Sequence, residues 1–138
     1  MKQILAALIW LALLAGGVGC KTDTGAYLPR NTNQSNQEAT ANFVLMDPGA
    51  ARSVTHAGIT EQVLPDGRLE VTANVRNREN RRIEVQINCV FKDGNWVPTG
   101  DETPFENLIL TENGITAVQF VSANNKARKY TIRVRQSR

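Results

Sequence analysis

The stretch LEVTANVRNRENRRIEVQINCVF, residues 69–91, decides the fold. Leu69, Val71, Ala73 and Val75 alternate with Glu70, Thr72, Asn74 and Arg76. Successive side chains of a strand point to opposite faces, so this alternation describes a ribbon with one buried and one wet side. After the polar turn Asn77-Arg78-Glu79-Asn80-Arg81 the period of two resumes. Ile83, Val85, Ile87, Cys89 and Phe91 now stand against Arg82, Glu84, Gln86 and Asn88, and only Val90 is out of step. So sustained a pattern predicts a central strand, with Cys89 facing inward as a small buried hydrophobe.

Outward from this pair, turn residues separate further strand-like runs. Phe43 to Met46 is closed by Asp47-Pro48-Gly49, and Ile59 to Leu64 leads into Pro65-Asp66-Gly67, where Pro fixes φ and Gly accepts positive φ. Asp93-Gly94-Asn95 reads as a hairpin loop before Trp96. Asn107 to Thr111, Ile115 to Ser122, and a last strand with Tyr130, Ile132 and Val134 facing in complete the series. No stretch here has helical apolar spacing. The expected fold is all-β: an immunoglobulin-like antiparallel β-sandwich of about seven strands over residues 42–138.

The amino terminus differs in kind. Lys2 precedes an unbroken apolar run from Ile4 to Ala15, followed by Gly16-Gly17-Val18-Gly19-Cys20. Twelve apolar residues are too few for a stable bilayer-spanning helix, which needs about 20. The run reads as a secretory signal, and small residues closing on Cys20 resemble a bacterial lipoprotein signal. The resemblance implies cleavage after residue 19 and acylation of Cys20; the competing reading is an ordinary thiol behind a soluble-secretion signal. Two or three acyl chains hold a protein on a membrane almost permanently. Lys21 follows the cysteine where Asp resembles an inner-membrane retention signal, so the expected site is the periplasmic face of the outer membrane. Residues 20–41 are the lipidated cysteine and a flexible linker, since 13 of the 21 residues after Cys20 are Asn, Gln, Ser, Thr, Asp, Gly or Pro, without period.

In plan and in detail the chain resembles the YcfL-like periplasmic lipoprotein family. The residues that carry the resemblance are Val75-Arg76-Asn77-Arg78, the alternating strand to Phe91, Asp93-Gly94 and Trp96, within a stretch from about Phe43 to Arg135. The resemblance implies an immunoglobulin-like fold and a place in the cell envelope. It supplies no catalytic residues.

With 138 residues, one His and two Cys, the chain has little from which to build an active site. His56 has no second imidazole to share a metal, and Ser53 lies three residues before it without a nucleophile elbow. Asp101, Glu102 and Glu106 flank Thr103-Pro104-Phe105 in an expected loop, and paired carboxylates there are the one arrangement on which a hydrolase could rest. The reading is therefore not an enzyme, with no metal and no cofactor.

Basic residues are the alternative feature. Arg76, Arg78, Arg81 and Arg82 crowd one turn, and Arg133 and Arg135 lie on the outward side of the last strand, with Arg128, Lys129 and Arg138 nearby. If both groups shared one sheet face they would suit an acidic protein, anionic headgroups or an acidic glycan. Trp96, Phe105 and Tyr130 could stack on such a ligand. Without Lys2 the charge is 15 basic against 13 acidic residues, too balanced for a dedicated nucleic-acid binder. Three readings stand in order: a non-enzymatic envelope interaction module held to the membrane by acylated Cys20, a binder of anionic glycan or peptidoglycan, and an envelope hydrolase. The oligomeric state is left open.

Overall fold

A computed structural model describes residues 40–137. The signal, Cys20 and nearly all of the linker, with the readings attached to them, lie outside the described residues. The elements run β1 (Phe43–Leu45), α1 (Pro48–Ser53), β2 (Val54–Val63), β3 (Leu69–Asn77), β4 (Ile83–Lys92), β5 (Pro98–Glu102), β6 (Glu106–Leu110), β7 (Ile115–Val121) and β8 (Lys129–Gln136). They form two sheets. One has the order β1-β8-β4-β5, with β6 also on β4, and the other has the order β2-β3-β7.

The two strands read from residues 69–91 are both present, in different sheets. The turn after Asn77 carries the chain across the sandwich, so the alternating faces of β3 and β4 meet through the core instead of side by side. Leu69, Val71, Ala73 and Val75 from one sheet face Val85, Ile87, Cys89 and Phe91 from the other, all of them buried. Tyr130, Ile132 and Val134 of β8, Leu110 of β6 and Phe120 of β7 close the layer. Burying apolar area on both inner faces is the main force holding the sheets together.

Asn77 pins the crossing. It is fully buried, and its amide nitrogen donates to the carbonyls of Arg81 at 2.7 Å and Thr111 at 2.9 Å, while its Oδ1 accepts from the Glu79 backbone at 2.8 Å. Gly67 takes φ +86° in the β2–β3 turn, the conformation for which glycine was read there.

The expected all-β sandwich is present with eight strands, Pro98–Glu102 adding β5 to the edge that continues as β6, both antiparallel to β4. Two expectations about the sandwich are corrected. It is not wholly antiparallel: β1 pairs β8 in parallel, Phe43 opposite Ile132 and Leu45 opposite Val134. Asp47-Pro48-Gly49 does not simply turn but starts α1, with Asp47 as N-cap accepting from the Ala50 N–H at 2.8 Å and Pro48 where its missing N–H costs nothing. The connectivity is a variant of the immunoglobulin type, in which the penultimate strand leaves the sheet of the last and pairs with β3.

Candidate functional site

The alternation of β8 sets the site. With Tyr130, Ile132 and Val134 inside, Lys129, Thr131, Arg133 and Arg135 point out from the five-stranded sheet. At about 3.3 Å per residue this is a row about 20 Å long carrying three cations. β4 lies beside it antiparallel, with Gln86 opposite Arg135, Asn88 opposite Arg133 and Lys92 opposite Lys129.

These cations are held in place by hydrogen bonds across the strands. Arg133 Nε donates to Asn88 Oδ1 at 3.0 Å, and its guanidinium also pairs with Glu102. The Asn88 amide donates to Glu102 Oε1 at 2.9 Å and to the Thr103 carbonyl at 3.2 Å. Arg135 Nε donates to Gln86 Oε1 at 2.8 Å, and Gln86 in turn donates to Asn107. The break between β5 and β6 brings the Phe105 ring over this face, 3.7 Å from the Arg135 guanidinium carbon and 5.4 Å from that of Arg133. A guanidinium over an aromatic ring is attracted to the ring face and held in place by it.

At the other end of the row, Trp96 repeats the arrangement with lysines. Lys129 Nζ lies 4.8 Å from its ring centroid and Lys92 Nζ 5.8 Å. Lys92 is nearly buried and bonds Thr131 Oγ1 at 2.9 Å. Trp96 closes the β4–β5 hairpin at φ +65°. Its N–H donates to the Asp93 carbonyl at 3.1 Å, and Asp93 Oδ1 accepts from Asn95 and Val97. This is a type I turn followed by a left-handed residue, a position that ordinarily belongs to glycine. A tryptophan there costs about 1–2 kcal/mol of backbone strain.

The structure brings Trp96, Arg133 and Arg135 onto one face but not the other candidates. Arg76 points out from β3, opposite Ile115, on the far face of the three-stranded sheet. Arg78, Arg81 and Arg82 are exposed around the β3–β4 crossing. Arg76 therefore lies on the opposite side of the sandwich from Arg133 and Arg135, and Arg78, Arg81 and Arg82 lie at the crossing end. Tyr130 is buried in the core and offers no stacking surface, its hydroxyl pushed up to about 12 by burial and then by Glu61. Asn88, Gln86 and Lys92 are the residues that sequence reading missed. Asn88 occupies an outward position in the alternation, and nothing local announces that partners 14 and 45 residues away bury it.

The catalytic candidates are taken up in other contacts. His56 sits on β2 with its ring 4.9 Å from that of Phe43. The Ser53 hydroxyl donates to Glu79 at 2.5 Å, and Glu79 is held below the usual carboxylate range by Arg81 first and Ser53 second. Asp101 and Glu102 end β5 and, as strand neighbours, diverge. Asp101 accepts from the Ala123 N–H at 2.5 Å while Glu102 joins the Arg133 network. Cys89 is fully buried, its thiol pushed up to about 12 by burial and then by Asp101, far from a reactive thiolate. Among the described residues no group of three His, Cys, Asp or Glu could hold a metal ion. A cleft of about 280 Å³ between α1 and the start of β4 is lined by Gly49, Ser53, Arg81, Arg82, Glu84 and Gln136 among others.

No family model and no curated protein matches the chain. Two solved structures share its fold. One is cj0090 of Campylobacter jejuni, 11% identical, with a TM-score of 0.59 over 70% of this chain and 98% of that one. The other is a DUF1425 family member from Shewanella sp. pv-4, 21% identical, with a TM-score of 0.56 over 62% of this chain and 79% of that one.

Proposed function

We propose that this chain is a non-enzymatic interaction module of the bacterial cell envelope, anchored by acylated Cys20 and presenting the outer face of the five-stranded sheet to an acidic partner. One observation carries the reading: Lys129, Arg133 and Arg135 stand in a single row, each laid against the ring of Trp96 or Phe105. Cations fixed in this way lose little freedom on binding, which is what an interaction surface needs. The lipoprotein-like amino terminus and the resemblance to the YcfL-like lipoproteins support the envelope setting. Asp101 and Glu102 are taken up by the Ala123 N–H and by Arg133, so they do not stand together as a pair of catalytic carboxylates.

Capture from solubilised envelope by the full chain, compared with a Lys129→Ala/Arg135→Ala variant, tests this. Partners retained by the wild type and lost by the variant, at unchanged thermal stability, are expected; identical partners for both chains overturn it. Strained Trp96 favours a second reading, an anionic glycan or peptidoglycan stacked on its ring. Binding to isolated peptidoglycan that survives high salt and is lost in Trp96→Ala is the result expected from that reading, and salt-sensitive binding indifferent to Trp96 contradicts it.

A further inference from the structure

We infer that β7 is a self-association edge through which two copies of this chain join their three-stranded sheets. Each end of each sheet exposes unpaired backbone N–H and C=O groups, and soluble proteins blunt such edges with charge, proline, bulges or short length. Three of the four described edges carry these devices. β1 has only three residues. β2 breaks register between His56 and Gly58, where Gly58 takes φ +148°, and it carries Glu61 on the inward side, opposite buried Val71. The β5 and β6 edge contains Pro98, Gly100, Asp101, Glu102, Pro104 and Glu106 and is interrupted at residues 103–105.

β7 carries none of them. Its sequence, ITAVQFV, has no charge, no Pro and no Gly, and its register with β3 is unbroken through all seven pairs, from Glu70 opposite Val121 to Arg76 opposite Ile115. Ile115, at its start, is 55% exposed. Among the described residues the side away from β3 has no strand.

The occupant that fits is a second β7. An antiparallel two-fold pairing centred on Val118 sets Ile115 opposite Val121, Thr116 opposite Phe120, Ala117 opposite Gln119, and Val118 opposite itself. β-branched, aromatic and small residues meet, and no like charges oppose one another, which is the condition for a strand to pair with its own copy. The β2 and β5–β6 edges fail this condition, since Glu61, Asp101, Glu102 and Glu106 place carboxylates along them, and β1 has only three residues to pair. The product is a continuous sheet in the order β2-β3-β7-β7-β3-β2. One seven-residue strand pair is far smaller than the roughly 1,200 Å² of a stable interface, so the contact is weak between free molecules and strengthened where copies are concentrated on a surface.

The test uses the full chain in two single variants on the solvent side of β7, Ala117→Cys and Gln119→Cys, with distinguishable tags. Mixed under oxidising conditions and reconstituted on phospholipid vesicles, they are expected to give a 117–119 disulfide in several-fold excess over either variant alone, over the wild-type chain with its native Cys20 and Cys89, and over a control pair on β2. The double variant Ala117→Lys/Gln119→Lys opposes like charges across the two-fold. It is expected to abolish the association, measured by energy transfer between labelled copies, while its melting temperature at low concentration stays at the wild-type value. No excess of the mixed disulfide from folded protein overturns the inference. So does concentration-independent protection of the β7 amides in hydrogen exchange, which would place the chain's own linker on the edge, and so does protection that requires another protein.

Discussion

Trp96 and Asn77 both sit at turns, and they answer to different demands. Asn77 is structural: its buried side chain satisfies two carbonyls and one N–H at the crossing. Asn77→Ala leaves these groups without partners and is expected to cost about 3 kcal/mol, seen as a fall in melting temperature on the order of 10 °C. Trp96 holds a left-handed conformation that glycine takes freely, so replacing it relieves strain while giving up a half-buried ring. Trp96→Gly is expected to change stability by less than about 1 kcal/mol and yet to lose ligand capture; a large loss of stability would make this ring a structural anchor. Cys89 and Tyr130 supply a pH test. Each is an acid whose folded value is raised to about 12, from 9.0 and 10.0, so each binds its proton more tightly when folded. Their contribution is intact below about pH 9 and drains away as pH rises toward 12, by up to about 1.4 kcal/mol per pH unit for each group. Denaturant midpoints taken from pH 8 to 11 are expected to fall, with the limb above pH 10 flattened in Tyr130→Phe.

At the scale of elements, α1 and the broken edge matter most. Asp47 caps α1 through Oδ1 and accepts from the Gln136 N–H at 2.8 Å through Oδ2, tying the helix to the end of β8. Asp47→Ala is expected to lower stability by about 1–2 kcal/mol, read as a shift in the denaturation midpoint without a change in its slope. β3, β4 and β8 were legible because their alternation of period two runs for about eight residues, and the apolar core positions follow parity, although Asn88, Lys92 and Thr131 are buried at outward positions. The beginning of β2 was not, since its residues before Ile59 include Ala57, Gly58 and a register shift that destroys the alternation. α1 has six residues, too few to show a helical period, although Asp47-Pro48 was already its starting signal. Half of the candidate face could be read in the same way: Arg133 and Arg135 face out by parity. What holds them, Asn88, Gln86, Glu102 and Phe105, comes from other strands, and pairing between distant segments leaves no mark in a single sequence.

For the whole molecule, the two sheets divide the work. The five-stranded sheet turns its row of ring-backed cations outward, and the three-stranded sheet offers one unguarded edge. Because β7 lies in the sheet opposite that row, the proposed pairing through it would leave the cationic faces of both copies uncovered. All of this presumes that the chain is held on a membrane, and that depends on Cys20. The most direct measurement is the intact mass of the full chain recovered from bacterial envelope. The expected result is a protein beginning at Cys20, lacking residues 1–19 and heavier by the diacylglyceryl and amino-terminal acyl groups. A mass showing unmodified Cys20, or cleavage at another position, contradicts the anchor and with it the envelope role proposed for the domain.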